Sequence, residues 1–377
     1  MLTKRKSNFE LLRILAMLLI ICTHLYQHGI WFSPEDTLLT PKLIAGNIFA
    51  IWTGSLGNYL FILISGYFLL DSNLSIKKFF KLWLEIFSIS VIIGVILYIT
   101  KTPVITPSNT NYELLGFNAA AIPMTKKDLI NCFTPTFSGN NWFATTYLVF
   151  YLFIPILNTT VKSLNQKKHL YLCLLLAILG TFVRMLPNQA LFQETNIFFF
   201  ILGYYIATYI KLYDPKLLKN QKLNILIVIS LAILFILWII LILYLRNKVS
   251  FIKNNFIHFF CYPFALGRFP VLIQAIFCFA YFKNLNIPTS KILNKLASTT
   301  FGVYLIHENR FLNKVIWHKF FNFDYIFTKQ FSIYIYIYIL VAVLITFIIC
   351  SGIDIIRQLI IEKPIMKIFN IYEKKHE

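Results

Sequence analysis

Residues 9–28 read FELLRILAMLLIICTHLYQH. Twenty residues at 1.5 Å each make about 30 Å of helix, the thickness of a bilayer's hydrocarbon core. The stretch nevertheless carries Glu10, Arg13, His24 and His28. It has no small-residue cleavage site, so it reads as a first membrane helix rather than a removed signal peptide. Arg13 and His24 are eleven residues apart. At about 100° per residue they fall roughly 20° from the same side of the helix, about 16 Å apart along its axis. Glu10 lies one turn before Arg13 and can pair with it. His28 lies one turn beyond His24. Taken singly, Arg13 would snorkel to headgroups, His24 would be a hydrogen-bonded core histidine, and His28 an interfacial one. The shared face sets them apart, because ionisable groups at membrane depth are costly and mark functional sites.

The rest of the chain supports a membrane protein. Of 377 residues, 58% are hydrophobic and 13% charged, with a mean hydropathy of +0.70. Soluble domains are close to half apolar and a quarter charged. A multidomain soluble protein, a disordered chain and a disulfide-stapled scaffold are therefore excluded. The net charge of +20 comes from 35 Lys and Arg against 15 Asp and Glu. No nucleic-acid motif accompanies it, and the basic residues sit in short loops between apolar runs, so no nucleic-acid partner is expected. Six cysteines occur, with no Cys-x-x-Cys pair. They outline no metal or redox framework, although Cys132 and Cys261 leave room for one disulfide. The histidines and carboxylates show no ligand spacing, so no metal is expected.

Ten apolar runs are long enough to read as spans: 9–28, 44–70, 80–99, 142–158, 169–184, 192–211, 223–245, 264–282, 298–317 and 331–353. The fold expected is all-α, a single integral membrane domain of about ten transmembrane helices. The longest loop, 101–141, contains Pro103, Pro107, Pro123 and Pro135. It is too long for a plain connector and is expected to cover a site. The larger share of Lys and Arg falls on the side of the two termini, which places both termini in the cytoplasm of a cell-membrane protein. Residues 354–377 read as a basic, partly amphipathic cytoplasmic tail on the inner leaflet, in contact with membrane lipids. Gly54, Gly57, Ser65 and Gly66 in the second span suit close helix packing.

Arg13, ten residues, then His24 resembles the Arg-x10-His signature of acyltransferase family 3, and Glu10-Leu11-Leu12-Arg13 resembles its acidic-x-x-Arg opening. Further likenesses follow in order. They are Ser65-Gly66-Tyr67-Phe68-Leu69-Leu70, Asn141-Trp142-Phe143 with Tyr147-Leu148, and Tyr151-Leu152 with Pro155-Ile156-Leu157-Asn158. Phe200-Ile201-Leu202-Gly203-Tyr204 and Phe301-Gly302-Val303-Tyr304-Leu305-Ile306-His307 complete the set. The resemblance runs from the first span to the last. It departs at two places. The family's Arg ahead of the acidic residue is here Arg5 or Lys6. Its Arg-x-x-Arg after the second span is here Lys78-Phe79-Phe80-Lys81, which keeps charge but loses bidentate geometry.

The resemblance implies a membrane O-acyltransferase that moves acetyl, or another acyl group, from acyl-CoA to a hydroxyl of a surface carbohydrate or lipid-linked glycan. Arg13, Arg5 or Lys6, Lys78 and Lys81 would then hold the donor's phosphates; Lys78 and Lys81 also read as ordinary inside-loop lysines. His24 would act as general base or accept the acyl group itself. Glu10 would orient Arg13. Trp142, Tyr147, His307 and Glu308 would line the acceptor side; His307 also reads as a buried, hydrogen-bonded core histidine. Two other classes compete. A transporter or flippase for a polysaccharide intermediate fits many spans, but such proteins often carry internal repeats, and Arg13…His24 has no counterpart in the second half. A non-catalytic partner of a glycan synthase is the third. It differs in one consequence: changing His24 would leave the glycan unaltered.

Overall fold

A computed structural model describes residues 6–29, 41–105, 121–137, 141–182, 196–246, 248–250, 252, 267–323 and 333–376. Helices dominate them. In chain order they are α1 (Ser7–Gly29), α2 (Pro41–Leu69), α3 (Ile76–Ile99), α4 (Lys126–Cys132), α5 (Trp142–Leu152), α6 (Ile154–Ser163), α7 (Gln166–Ala177), α8 (Asn196–Tyr213), α9 (Lys216–Lys219), α10 (Gln221–Arg246), α11 (Phe269–Lys283), α12 (Lys291–Ala297), α13 (Thr300–His307), α14 (Ile333–Arg357) and α15 (Lys363–His376). Wider π-helical turns follow α7 at Ile178–Phe182, form Val315–Phe320, and join α14 to α15 at Gln358–Glu362. The described strands are β1 (Pro103–Val104) and β2 (Ile122–Pro123), paired antiparallel with Val104 opposite Ile122.

The all-α reading stands, and the described residues do not confirm the count of ten spans. Among the described residues, six helical stretches are long and apolar enough to cross a bilayer, or seven if α5 and α6 form one broken span. The differences have local causes. Pro155 has no N–H and cannot continue the ladder, so the run 142–158 breaks at Phe153. Within 298–317, α13 stops at His307. The Asn309 side chain then accepts from the amides of Phe311 and Leu312, closing a turn in place of the helix. In 264–282 the described helix α11 has 15 residues, about 22 Å of rise, which is short of the hydrocarbon thickness. In 169–184, α7 has 12 residues and passes into a π turn. Residues 106–120 of the long loop, expected to cover a site, lie outside the described residues.

The chain forms two compact units. The first comprises Met1–Thr23, Leu38–Asn73 and Leu152–Ala297. Its centre is the packing of α2 on α8. A Cβ on Gly66 would lie 2.8 Å from Tyr204 Cα, and one on Gly203 would lie 2.3 Å from Ile62 Cγ2. Only hydrogens at both places permit this approach. Gly57 likewise lets α2 pass the backbone of α1 at Ala16, and Gly54 faces the Thr23 side chain. Membrane-buried polar groups find partners here. Trp52 donates to Gln274 at 2.7 Å, and Gln274 donates to the Val228 carbonyl at 3.1 Å. Beyond α8, Asp214 accepts from Lys283 at 2.5 Å and pairs with Lys219 at 2.9 Å.

The second unit comprises His24–Thr37, Leu74–Tyr151 and Ser298–Glu377. Here α13 packs against α3 and α14. Helix α4 opens with a reciprocal cap between Thr125 and Asp128 and lies on α3. The Cys132 thiol donates to the Asp128 carbonyl at 3.4 Å; Cys261 lies outside the described residues. The segment read as a surface tail begins deep in this unit, since Asp354 and Arg357 are 0% and 4% exposed. Through its π turn it continues α14 into α15, which lies along the start of α3. There Phe369 stacks on Phe80 with centroids 5.2 Å apart, and Glu373 approaches Lys77 at 3.7 Å.

Candidate active site

The last turn of α1 and the end of α13 bring four ionisable side chains together. His24 Nδ1 lies 2.9 Å from His307 Nε2 and 3.1 Å from Glu308 Oε2. His28 Nε2 lies 3.1 Å from both oxygens of the same carboxylate. His28 is in turn fixed from the backbone side, because the His318 ring bonds its carbonyl at 2.8 Å. The register comes from helix geometry: His24 and His28 are four residues apart and share a face, so one carboxylate can meet both. On the other side, the helix ends at His307, and Glu308 is its C-cap. That break lets consecutive residues both face α1.

The hydrogen bonds fix which nitrogen carries each proton. His307 Nδ1 lies 2.6 Å from the Val303 carbonyl, which can only accept. Nδ1 is therefore protonated, and in a neutral ring Nε2 is an acceptor. The proton between the two rings must then come from His24 Nδ1, with Glu308 Oε2 an ionic neighbour 3.1 Å away. A neutral His24 is left with its lone pair on Nε2, which makes no hydrogen bond among the described residues. The side chain keeps 12% of its surface. A base held in one tautomer, with a carboxylate behind its protonated nitrogen, can take a proton at Nε2 and have the resulting cation stabilised. An aromatic wall stands beside it. Tyr304 lies 6.2 Å from His24 between ring centroids and 5.7 Å from Phe143.

The other expected site residues are placed as follows. Arg13 pairs with Glu10 through Nη1, at 3.0 and 3.1 Å to the two oxygens. The Arg13 side chain is a quarter exposed, while Glu10 is buried. Both belong to the first unit, about 16 Å down the same helix from His24 by its rise. Lys6 is exposed; Arg5 lies outside the described residues. Lys78 is exposed near the N-terminus of α3, where its amide bonds Ser75. Lys81 is engaged, at 2.8 Å from Glu362. Trp142 is exposed and packs edge-on against Phe143 at 5.5 Å. Tyr147 lies by Phe301 at 6.3 Å, one turn along α5 from the Phe143 contact. His307 and Glu308, expected on the acceptor side, are direct partners of His24. Sequence reading missed the sharing of Glu308 by two histidines, and the support from His318. The signal for the first was present in the four-residue spacing of His24 and His28.

A sequence model of acyltransferase domains matches residues 6–351, nearly the whole chain and both halves of this constellation. The chain belongs to acyltransferase family 3. No curated protein matches the chain, and no solved structure does. Family membership makes this chain a membrane acyltransferase. The matched region of the family 3 acyltransferase takes in Glu10, Arg13, His24, His307 and Glu308 and ends within α14.

Proposed function

We propose that this family 3 acyltransferase moves an acetyl group from cytoplasmic acetyl-CoA to a hydroxyl of a surface glycan or lipid-linked sugar, with His24 as general base. The observation that carries the reading is the hydrogen bond of His24 Nδ1 to His307, with Glu308 beside it. It leaves Nε2 as the basic atom.

In the reaction, Nε2 takes the acceptor hydroxyl's proton as its oxygen attacks the thioester carbonyl. A new C–O bond forms. As the tetrahedral intermediate collapses, the C–S bond breaks, and the proton on Nε2 passes to the leaving sulfur, giving ester and free CoA thiol. Glu308 stabilises the imidazolium between the two transfers. Attack by Nε2 itself, giving an acyl-imidazole that the sugar then discharges, needs the same lone pair.

The donor's phosphates fall to Arg13. Glu10 meets only its Nη1, so its other edge has no partner among the described residues. Guanidinium groups suit phosphate oxygens. A pantetheine arm running along α1 would cover the roughly 16 Å to His24. Lys6, on the same unit, or Arg5 would complete the donor site, and Lys78, which is exposed, is assigned to the donor by the family resemblance alone. Lys81 contributes less, because Glu362 holds it. Trp142 and Tyr147 are assigned to the acceptor side. The distribution of Lys and Arg supports a cell-membrane protein with both termini on the cytoplasmic side.

The test is transfer. The purified protein in nanodiscs is given labelled acetyl-CoA and a glycan extract of its host. Label in glycan supports the reading. Folded protein that neither binds CoA nor labels any glycan fraction argues against it and favours the transporter or partner alternatives.

A further inference from the structure

The second unit holds an ionic hub whose buried members the proposed chemistry does not use. Arg357 is its centre. Nε lies 2.7 Å from Asp354 Oδ1, and Nη2 lies 2.9 Å from Glu362 Oε2 and 3.4 Å from Glu85 Oε1. Lys81 adds a second cation on Glu362. Asp354 is fully buried, and Glu85, Arg357 and Glu362 are each less than a tenth exposed. Charges this deep are costly to desolvate, and hydrophobic residues would often give equal stability. A role other than stability is the natural place to look.

The hub touches α13 directly. A Cβ on Gly302 would lie 2.2 Å from Asp354 Cγ, so the carboxyl rests on the helix backbone itself. Nearby, Thr299 donates to Ser351 at 3.0 Å, and Gln358, itself bonded to Asp354 at 2.7 Å, reaches the Ser298 carbonyl at 3.5 Å. Thus the first turn of α13 is clamped to α14. Five residues on, about 7.5 Å along the axis, the same helix ends in His307. With only eight residues, α13 has little length over which to absorb a shift. A displacement at Gly302 therefore moves the ring that orients His24.

We infer that Asp354, held by Arg357 against Gly302, is a positioning residue that sets His307 and Glu308 relative to His24. The inference rests on the proposed role of His24 as base. The clamp acts on the chemical step, whereas donor binding falls mainly to Arg13, with Lys81, held by Glu362, contributing less.

The test uses full-length protein in nanodiscs, with kcat and donor KM normalised to folded protein. Gly302→Ala retains every charge and pushes on Asp354. It is expected to lower kcat about 10- to 100-fold, the usual cost of misplacing a reacting group by an ångström or less, with donor KM unchanged. Asp354→Asn is expected to act in the same direction. Where Asp354→Asn yields too little folded protein, Gly302→Ala carries the test. The deciding measurement combines each change with His307→Ala. Positioning through His307 requires that the second change add almost nothing. A full, multiplicative loss in the His307→Ala background overturns the inference. So does unchanged kcat per folded molecule in Gly302→Ala. His24→Ala is run alongside. Full activity there removes the base reading and the inference with it, whereas an inactive His24→Ala with normal Gly302→Ala removes the inference alone.

Discussion

His24 Nδ1 and His307 Nε2 are 2.9 Å apart, although 283 residues separate them in the chain. With Val303 accepting from the far side of His307, the contact has one consistent proton arrangement. It leaves His24 Nε2 unprotonated in the neutral pair. Glu308 then has the role of stabilising the charge that appears when Nε2 takes a proton.

Replacing Glu308 with Gln keeps the shape but removes that charge. We expect kcat to fall on the order of 10²-fold with donor KM unchanged, in the range usual for losing support to a general base. Steady-state kinetics at saturating acceptor measure it. A rise in donor KM with kcat preserved would place Glu308 in donor binding instead.

Arg13 stands at the other end of α1. Arg13→Ala is expected to raise donor KM about 10- to 100-fold, the loss of one or two charge-assisted hydrogen bonds, with kcat little changed. Arg13→Lys should recover part of it, because charge returns without the fork. Binding of labelled CoA to each variant checks the assignment. Equal affinity in wild type and Arg13→Ala would remove Arg13 from the donor site.

Two glycines separate packing from composition. A Cβ on Gly66 meets the Tyr204 backbone at 2.8 Å, whereas one on Gly352 meets nothing within 4 Å. Gly66→Ala should destabilise the protein by about 1–3 kcal/mol, since the helices must move apart. Gly352→Ala should be neutral or slightly stabilising within its helix. Thermal unfolding in one detergent gives both values. Equal melting temperatures would contradict the close α2–α8 contact.

Asp214 gives a stability effect that depends on pH. Hydrogen bonds from Lys283 and then Lys219 hold its carboxyl below the usual carboxylate range. The folded-state pKa is thus lower than the unfolded one, so its contribution is present above the unfolded value and is lost as pH falls through the folded one. Asp214→Asn is the control. Its side chain keeps a bonding oxygen, and Asn tolerates the left-handed backbone at this position, where φ is 40°. Wild type should melt above the variant at neutral pH, and the gap should close in acid. A gap that is constant with pH would contradict the ion pairs.

Much of the site was legible because its decisive residues share one helix. The spacing of Arg13, His24 and His28 in 9–28 specifies a face without any knowledge of tertiary contacts. The all-α class followed from composition alone. The span count goes unconfirmed where hydropathy and backbone chemistry disagree. Residues 142–158 are apolar throughout, but Pro155 breaks them. Residues 298–317 are apolar enough, but Asn309 caps a turn inside them. The hub was illegible for another reason. Asp354 and Arg357 are three residues apart, a spacing that on a surface helix means an ordinary exposed pair. Only the arrival of Glu85 from α3 and of Gly302 from α13 buries them. Likewise, the meeting of Glu308 with His24 and His28 depends on α13 ending at His307, which residue spacing does not reveal.

The most direct measurement is acetyl transfer by His24→Ala against wild type, with equal amounts of folded, CoA-binding protein. Labelled acetyl-CoA and glycan acceptor are supplied to both. Label should enter glycan with wild type and fall by at least about 10²-fold with the variant, while CoA still binds. Equal labelling of glycan by both proteins would contradict His24 as the base.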